Sequence, residues 1–170
     1  MSAIAIPDLL RRFAITTLTF EDLASFDGEE LGSANNPYAV IGLTISRATV
    51  KAGANLNSSS RGVALKSGRL PGEASQDEIE LRFVKPQGGF GFFYRTPRAT
   101  LLMVKALNSD ETLLEEDVLQ DGEGYSGVIR ARAEIGIVRI LGQTNARDST
   151  GNTSFYMDDL DFGRELKAGY

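Results

Sequence analysis

Between residues 78 and 84, Ile79, Leu81 and Phe83 alternate with Glu78, Glu80 and Arg82. A period of two puts each set on its own side of an extended chain, which predicts a half-buried strand. Pro86-Gln87-Gly88-Gly89 breaks the run, and residues 90–94 resume it with Phe90, Phe92 and Tyr94 on one side. Residues 100–107 are apolar on both faces and read as a central strand. Residues 15–20 are rich in β-branched and aromatic side chains, with Leu18 and Phe20 on a shared face. Further strands are predicted at 38–50, around Val40, Ile41, Leu43 and Ile45, and at 63–65, 128–133, 135–141 and 154–162. At 112–119 the run Glu115-Glu116-Asp117 blurs the pattern, and strand is preferred to helix. The one helical turn expected is at 8–13, behind Pro7.

About ten short strands separated by glycine and polar turns predict an all-β fold, an antiparallel sandwich or barrel. Strands do not alternate with long amphipathic helices, which argues against a parallel α/β fold. The sandwich domain is drawn over residues 15–163, between an N-terminal arm at 1–14 and a C-terminal tail at 164–170.

Composition narrows the chemistry. The 170 residues suffice for one domain with its own core. Cysteine, histidine and tryptophan are absent. Thiolate nucleophiles, zinc–sulfur sites and histidine-based acid–base catalysis are thereby excluded. A net charge of −5 without a basic block argues against nucleic-acid binding. No apolar run is long enough for membrane insertion. The first dozen residues show no secretory leader.

Two acidic clusters stand near the ends of the predicted sheet, Glu21-Asp22 and Asp158-Asp159. If the first and last strands are neighbours, Glu21, Asp22, Asp158 and Asp159 would converge as oxygen ligands for calcium; the alternative is solvated acids, or acids paired with Arg12 or Arg164. Gly122 to Gly127 matches G-x-G-x-x-G by spelling, but strand rather than helix follows, so it reads as a glycine-rich turn and not as a dinucleotide site. Glu115, Glu116 and Asp117 are adjacent, so neighbours point to opposite faces and cannot form a hydrolase pair. The segment ending at Tyr94, followed by Arg95 and Arg98, is a candidate ligand surface together with Tyr125. Tyrosine stacks on a sugar ring while its hydroxyl makes a hydrogen bond.

Taken in order, Leu18-Thr19-Phe20-Glu21-Asp22-Leu23, Gly42-Leu43-Thr44-Ile45-Ser46, Gly62-Val63-Ala64-Leu65, Gly89-Phe90-Gly91-Phe92 and Met157-Asp158-Asp159-Leu160-Asp161-Phe162 resemble a known kind of domain. It is the jelly-roll sandwich of secreted bacterial proteins with carboxy-terminal sorting signals (PEP-CTERM type), similar in layout to galactose-binding-like carbohydrate modules. The resemblance implies a noncatalytic, extracellular or cell-surface role, with calcium in some members. The expectation is therefore a binding module for a glycan or surface polymer, braced by calcium. The alternative is a structural subunit, such as a virion decoration or tail protein, in the virion or the cytoplasm, whose partners are copies of itself or other structural proteins.

Overall fold

The computed structural model describes residues 13–54, 62–69, 76–144 and 153–166. These residues hold twelve strands: β1 (Phe13–Leu18), β2 (Glu30–Leu31), β3 (Leu43–Ser46), β4 (Ala48–Ala52), β5 (Val63–Arg69), β6 (Gln76–Gln87), β7 (Gly89–Thr96), β8 (Thr100–Leu107), β9 (Leu113–Leu119), β10 (Gly122–Ile129), β11 (Ile135–Thr144) and β12 (Tyr156–Leu166). All pairings are antiparallel, and the fold is a β-sandwich of jelly-roll type. One sheet runs β10-β7-β12-β5-β4-β2, with β1 beside β12 past the end of β5; the other runs β9-β8-β11-β6-β3. Strand β5 belongs to both, pairing with β12 and β4 early and with β6 at Gly68 and Arg69.

The period-two pattern explains which faces meet. Ile79, Leu81 and Phe83 of β6 face Phe90 and Phe92 of β7 and Met157, Leu160 and Phe162 of β12 in one buried cluster. Each fully buried large side chain contributes about 1.5–3 kcal/mol, so these eight set the strand register. Sheets change at a sharp corner between β6 and β7, where Gly88 lies so close to β12 that a Cβ there would meet the Arg164 carbonyl oxygen at 2.5 Å. Where β5 crosses between sheets, Asp77 accepts the Ser67 hydroxyl at 2.9 Å and the Thr153 hydroxyl at 2.6 Å. Ser67 Oγ in turn accepts the Phe155 amide at 2.9 Å, tying the start of β12 to the crossing. These buried polar groups satisfy one another, which holds the crossing in one geometry.

Three expectations are corrected. Leu18 and Phe20 both pack on the core, but Asp22 does not follow them along one strand face, because Phe20 is left-handed (φ +62°) and the chain turns into a 3-10 helix at Glu21–Phe26. Val40 and Ile41 are not in a strand; they lie in a 3-10 turn, 92% and 45% exposed, and β3 starts only after the left-handed Gly42. The glycine-rich segment is itself strand β10, paired with β7 along Gly122–Ile129, and the chain turns at Arg130 to Ala133 where strand was expected. The expected helical turn at 8–13 falls outside the described residues except for Phe13, which opens β1.

Candidate functional site

The outer face of the first sheet presents aromatic and charged side chains in register. Alternation in β7 sends Phe90 and Phe92 inward, leaving Phe93 and Arg95 outward with Gly91. Phe93 stands opposite Tyr125 of β10 and Asp158 of β12. One step along, Arg95 stands opposite Glu123 and Tyr156, and Tyr156 stands opposite Lys66 of β5.

Tyr125 does not stay on its own strand. Its ring end lies over Gly91, where an added Cβ would sit 2.3 Å from the hydroxyl oxygen. Beyond Gly91 the hydroxyl donates to Asp161 Oδ2 at 2.7 Å. Thr17 of β1 donates to Asp161 Oδ1 at 2.5 Å. Only a glycine on the intervening strand leaves room for this crossing, which pins an aromatic ring across the sheet. Asp161 reaches the outer face through a bulge: Asp158 pairs with Phe93 and Asp161 with Gly91, so Asp159 and Leu160 both face Phe92. Asp159 takes the left-handed conformation (φ +47°) that aspartate tolerates, and its amide donates to Asp158 Oδ1 at 2.8 Å.

Beside the rings is a depression of about 330 Å³ lined by Lys66, Arg95, Thr96, Pro97, Ser154 and Tyr156. The Arg95 guanidinium carbon lies 5.2 Å from the Tyr156 ring centroid, a cation–π contact. Arg95 also donates to the Ala54 carbonyl at 3.1 Å and faces Glu123 at 3.5 Å. A wider depression of about 710 Å³ lies at the end of the sandwich, lined in part by Val40, Ile41, Val84 and Lys85.

The second sheet's outer face is charged but internally compensated. Buried Glu80 accepts from Arg82 Nε at 2.6 Å and Arg139 Nε at 2.9 Å. Glu78, also buried, lies 3.2 Å from Arg47, and Glu111 pairs with Arg82 and Arg139. Burial raises the Glu80 carboxyl, but the two arginine hydrogen bonds and charges outweigh it and hold the group below the usual range.

The sequence-predicted residues divide. Arg95 and Tyr125 lie on the outer face of the first sheet. Tyr94 points the other way, packs against the core, and has its hydroxyl pKa raised by burial and then by the Asp117 charge. Arg98 is exposed in the turn after β7. Of the acids, Asp22 accepts the Tyr38 hydroxyl at 2.9 Å, and Glu21 accepts the Val63 amide at 3.3 Å. Burial, the Asp22 hydrogen bond and its charge together push the Tyr38 hydroxyl far up. Among the described residues no three carboxylates group as an ion-holding set. Sequence reasoning missed Lys66, Phe93 and Asp161. The outward parity of Phe93 against Phe90 and Phe92 was a signal already present in the chain.

No family model matches the chain, and no curated protein matches it. Solved structures do. TmCBM61, solved in complex with β-1,4-galactotriose, aligns at TM-score 0.47 and 15% identity over 81% of this chain and 100% of its own. The K2 adhesin domain of Lys-gingipain aligns at 0.49 and 13% over 88% and 99%. The glycoside hydrolase domain of Endo-D from Streptococcus pneumoniae R6 aligns at 0.49 and 11% over 88% of this chain and 27% of its own. At these values no residue role is carried over from any of them.

Proposed function

We propose that the chain is a noncatalytic binding module that holds a glycan or surface polymer on the outer face of β10, β7, β12 and β5, in an extracellular or cell-surface setting. The observation that supports this reading is Tyr125, pinned across Gly91 by Asp161 on the same face as Phe93 and Tyr156. Sugars have apolar C–H faces and hydroxyl edges. Aromatic rings match the first, and neighbouring Arg95, Lys66 and Glu123 match the second. A ring already fixed by the fold loses little entropy on binding.

Affinity electrophoresis through a panel of polysaccharide gels tests this. Retardation in at least one gel is expected, with Phe93→Ala and Tyr156→Ala each weakening it about tenfold, the effect of losing one well-packed aromatic contact. No retardation in any gel, or retardation that neither variant changes, refutes the reading.

A second reading, the assembly subunit, is favoured by a different feature. Val40 and Val84 are 92% and 80% exposed beside the end depression, and clustered exposed apolar side chains mark protein contacts. Light scattering separates the two: a defined oligomer abolished by Val40→Ser with Val84→Ser supports a subunit, and a monomer supports the module.

A further inference from the structure

The depression beside Tyr156 has a sign as well as a shape. Lys66 and Arg95 are the cross-strand neighbours of Tyr156 on its two sides. Two strand spacings separate their backbones by about 10 Å, and both side chains line the same depression. The acids on this face are taken up elsewhere. Asp161 holds the hydroxyls of Thr17 and Tyr125, and Asp158 Oδ1 holds the Asp159 amide. Glu123 pairs with Arg95 at 3.5 Å, with both side chains partly exposed. Such a pair is weak and exchanges readily for a better anion. Among the described residues the Lys66 side chain has no hydrogen bond or ion pair. Positive charge is thus left at the depression of a chain whose net charge is −5.

We propose that the ligand is an acidic polysaccharide, with a carboxylate or sulfate seated between Lys66 and Arg95 beside the Tyr156 ring. This rests on the glycan reading above and deepens it. Tyr156 supplies the apolar contact. Lys66 and the Arg95 fork supply charge-assisted hydrogen bonds, which are shorter and stronger than neutral ones. The negative net charge repels polyanions at long range, so binding is local and survives at 150 mM salt, where fields beyond about 8 Å are screened.

The test is affinity electrophoresis of the full chain at 150 mM salt, through matched gels that differ in charge. The pairs are polygalacturonate with its methyl ester, chondroitin sulfate with desulfated chondroitin whose carboxylates are methyl-esterified, and dextran sulfate with dextran. The inference expects at least one charged member to retard the protein about tenfold more strongly than its neutral partner. Lys66→Ala should lose most of that difference. Lys105→Ala, on the outer face of the other sheet, should keep it. Equal retardation by charged and neutral members overturns this inference and leaves the glycan reading standing. Equal loss in the two lysine variants overturns it as nonspecific attraction. Retardation by none of the six polymers, with a wider neutral panel also silent, overturns both.

Discussion

Gly91→Ala puts the crossing of Tyr125 to a direct test. A methyl group at 91 would stand 2.3 Å from the Tyr125 hydroxyl oxygen and 2.7 Å from the ring carbon bearing it. No such contact survives, so the ring must swing away and release Asp161. That carboxylate is only 2% exposed and keeps its other bond to Thr17. Losing a hydrogen bond to a buried charged group costs about 1.5–3 kcal/mol. Residual crowding adds about 1–3 kcal/mol, and the lower chain entropy of alanine returns about 0.5–1 kcal/mol. The net expectation is a loss of about 1.5–5.5 kcal/mol, or roughly 3–20 °C in Tm for a domain of this size. Urea unfolding of Gly91→Ala, Tyr125→Ala and the double variant forms a cycle. With the ring gone, the alanine methyl meets little, so Gly91→Ala should cost under about 1 kcal/mol in the Tyr125→Ala background. An undiminished cost there, or no cost in the parent, refutes the crossing as the reason for a glycine at 91.

Two further outcomes follow from the charged groups. Glu80 is held below its ordinary pKa by Arg82 and Arg139, so its contribution to stability is complete above the unfolded value and is lost as pH falls through the lower folded value. Glu80→Gln should therefore lower Tm at pH 7 and flatten the fall of Tm with acid between roughly pH 5 and pH 3; a parallel curve would refute the assignment. With Asp22 committed to Tyr38 and Asp158 to the Asp159 amide, adding millimolar calcium to EDTA-treated protein is expected to leave Tm within about 1 °C, whereas a rise of several degrees would place an ion among Glu21, Asp22, Asp158 and Asp159.

Strands were legible wherever one face is buried, because burial imposes a period of two. β8 was bounded correctly at 100–107 and β9 to within a residue of its start at Leu113. Legibility failed where a glycine or a left-handed residue decides. Glycines 122, 124 and 127 looked like a turn, yet they make β10 a strand that approaches β7 closely. Phe20 looked extended, yet its left-handed backbone turns the chain and carries Asp22 away from the β1 face. Of the site, Arg95 and Tyr125 were named from chemistry alone. Lys66 was not, and the placing of Tyr156 between it and Arg95 was not legible, because that adjacency arises only from the pairing of strands far apart in sequence.

That remoteness has a temporal side. The proposed surface draws on β5, β7, β10 and β12, and β12 lies between β5 and β7. During synthesis the strand that joins Lys66 to Arg95 is the last of the described strands to emerge, so earlier segments carry the side chains but not the surface. The proposed site is a property of the closed sheet: fragments ending before Tyr156 are expected to be silent toward ligand, as is any linear peptide.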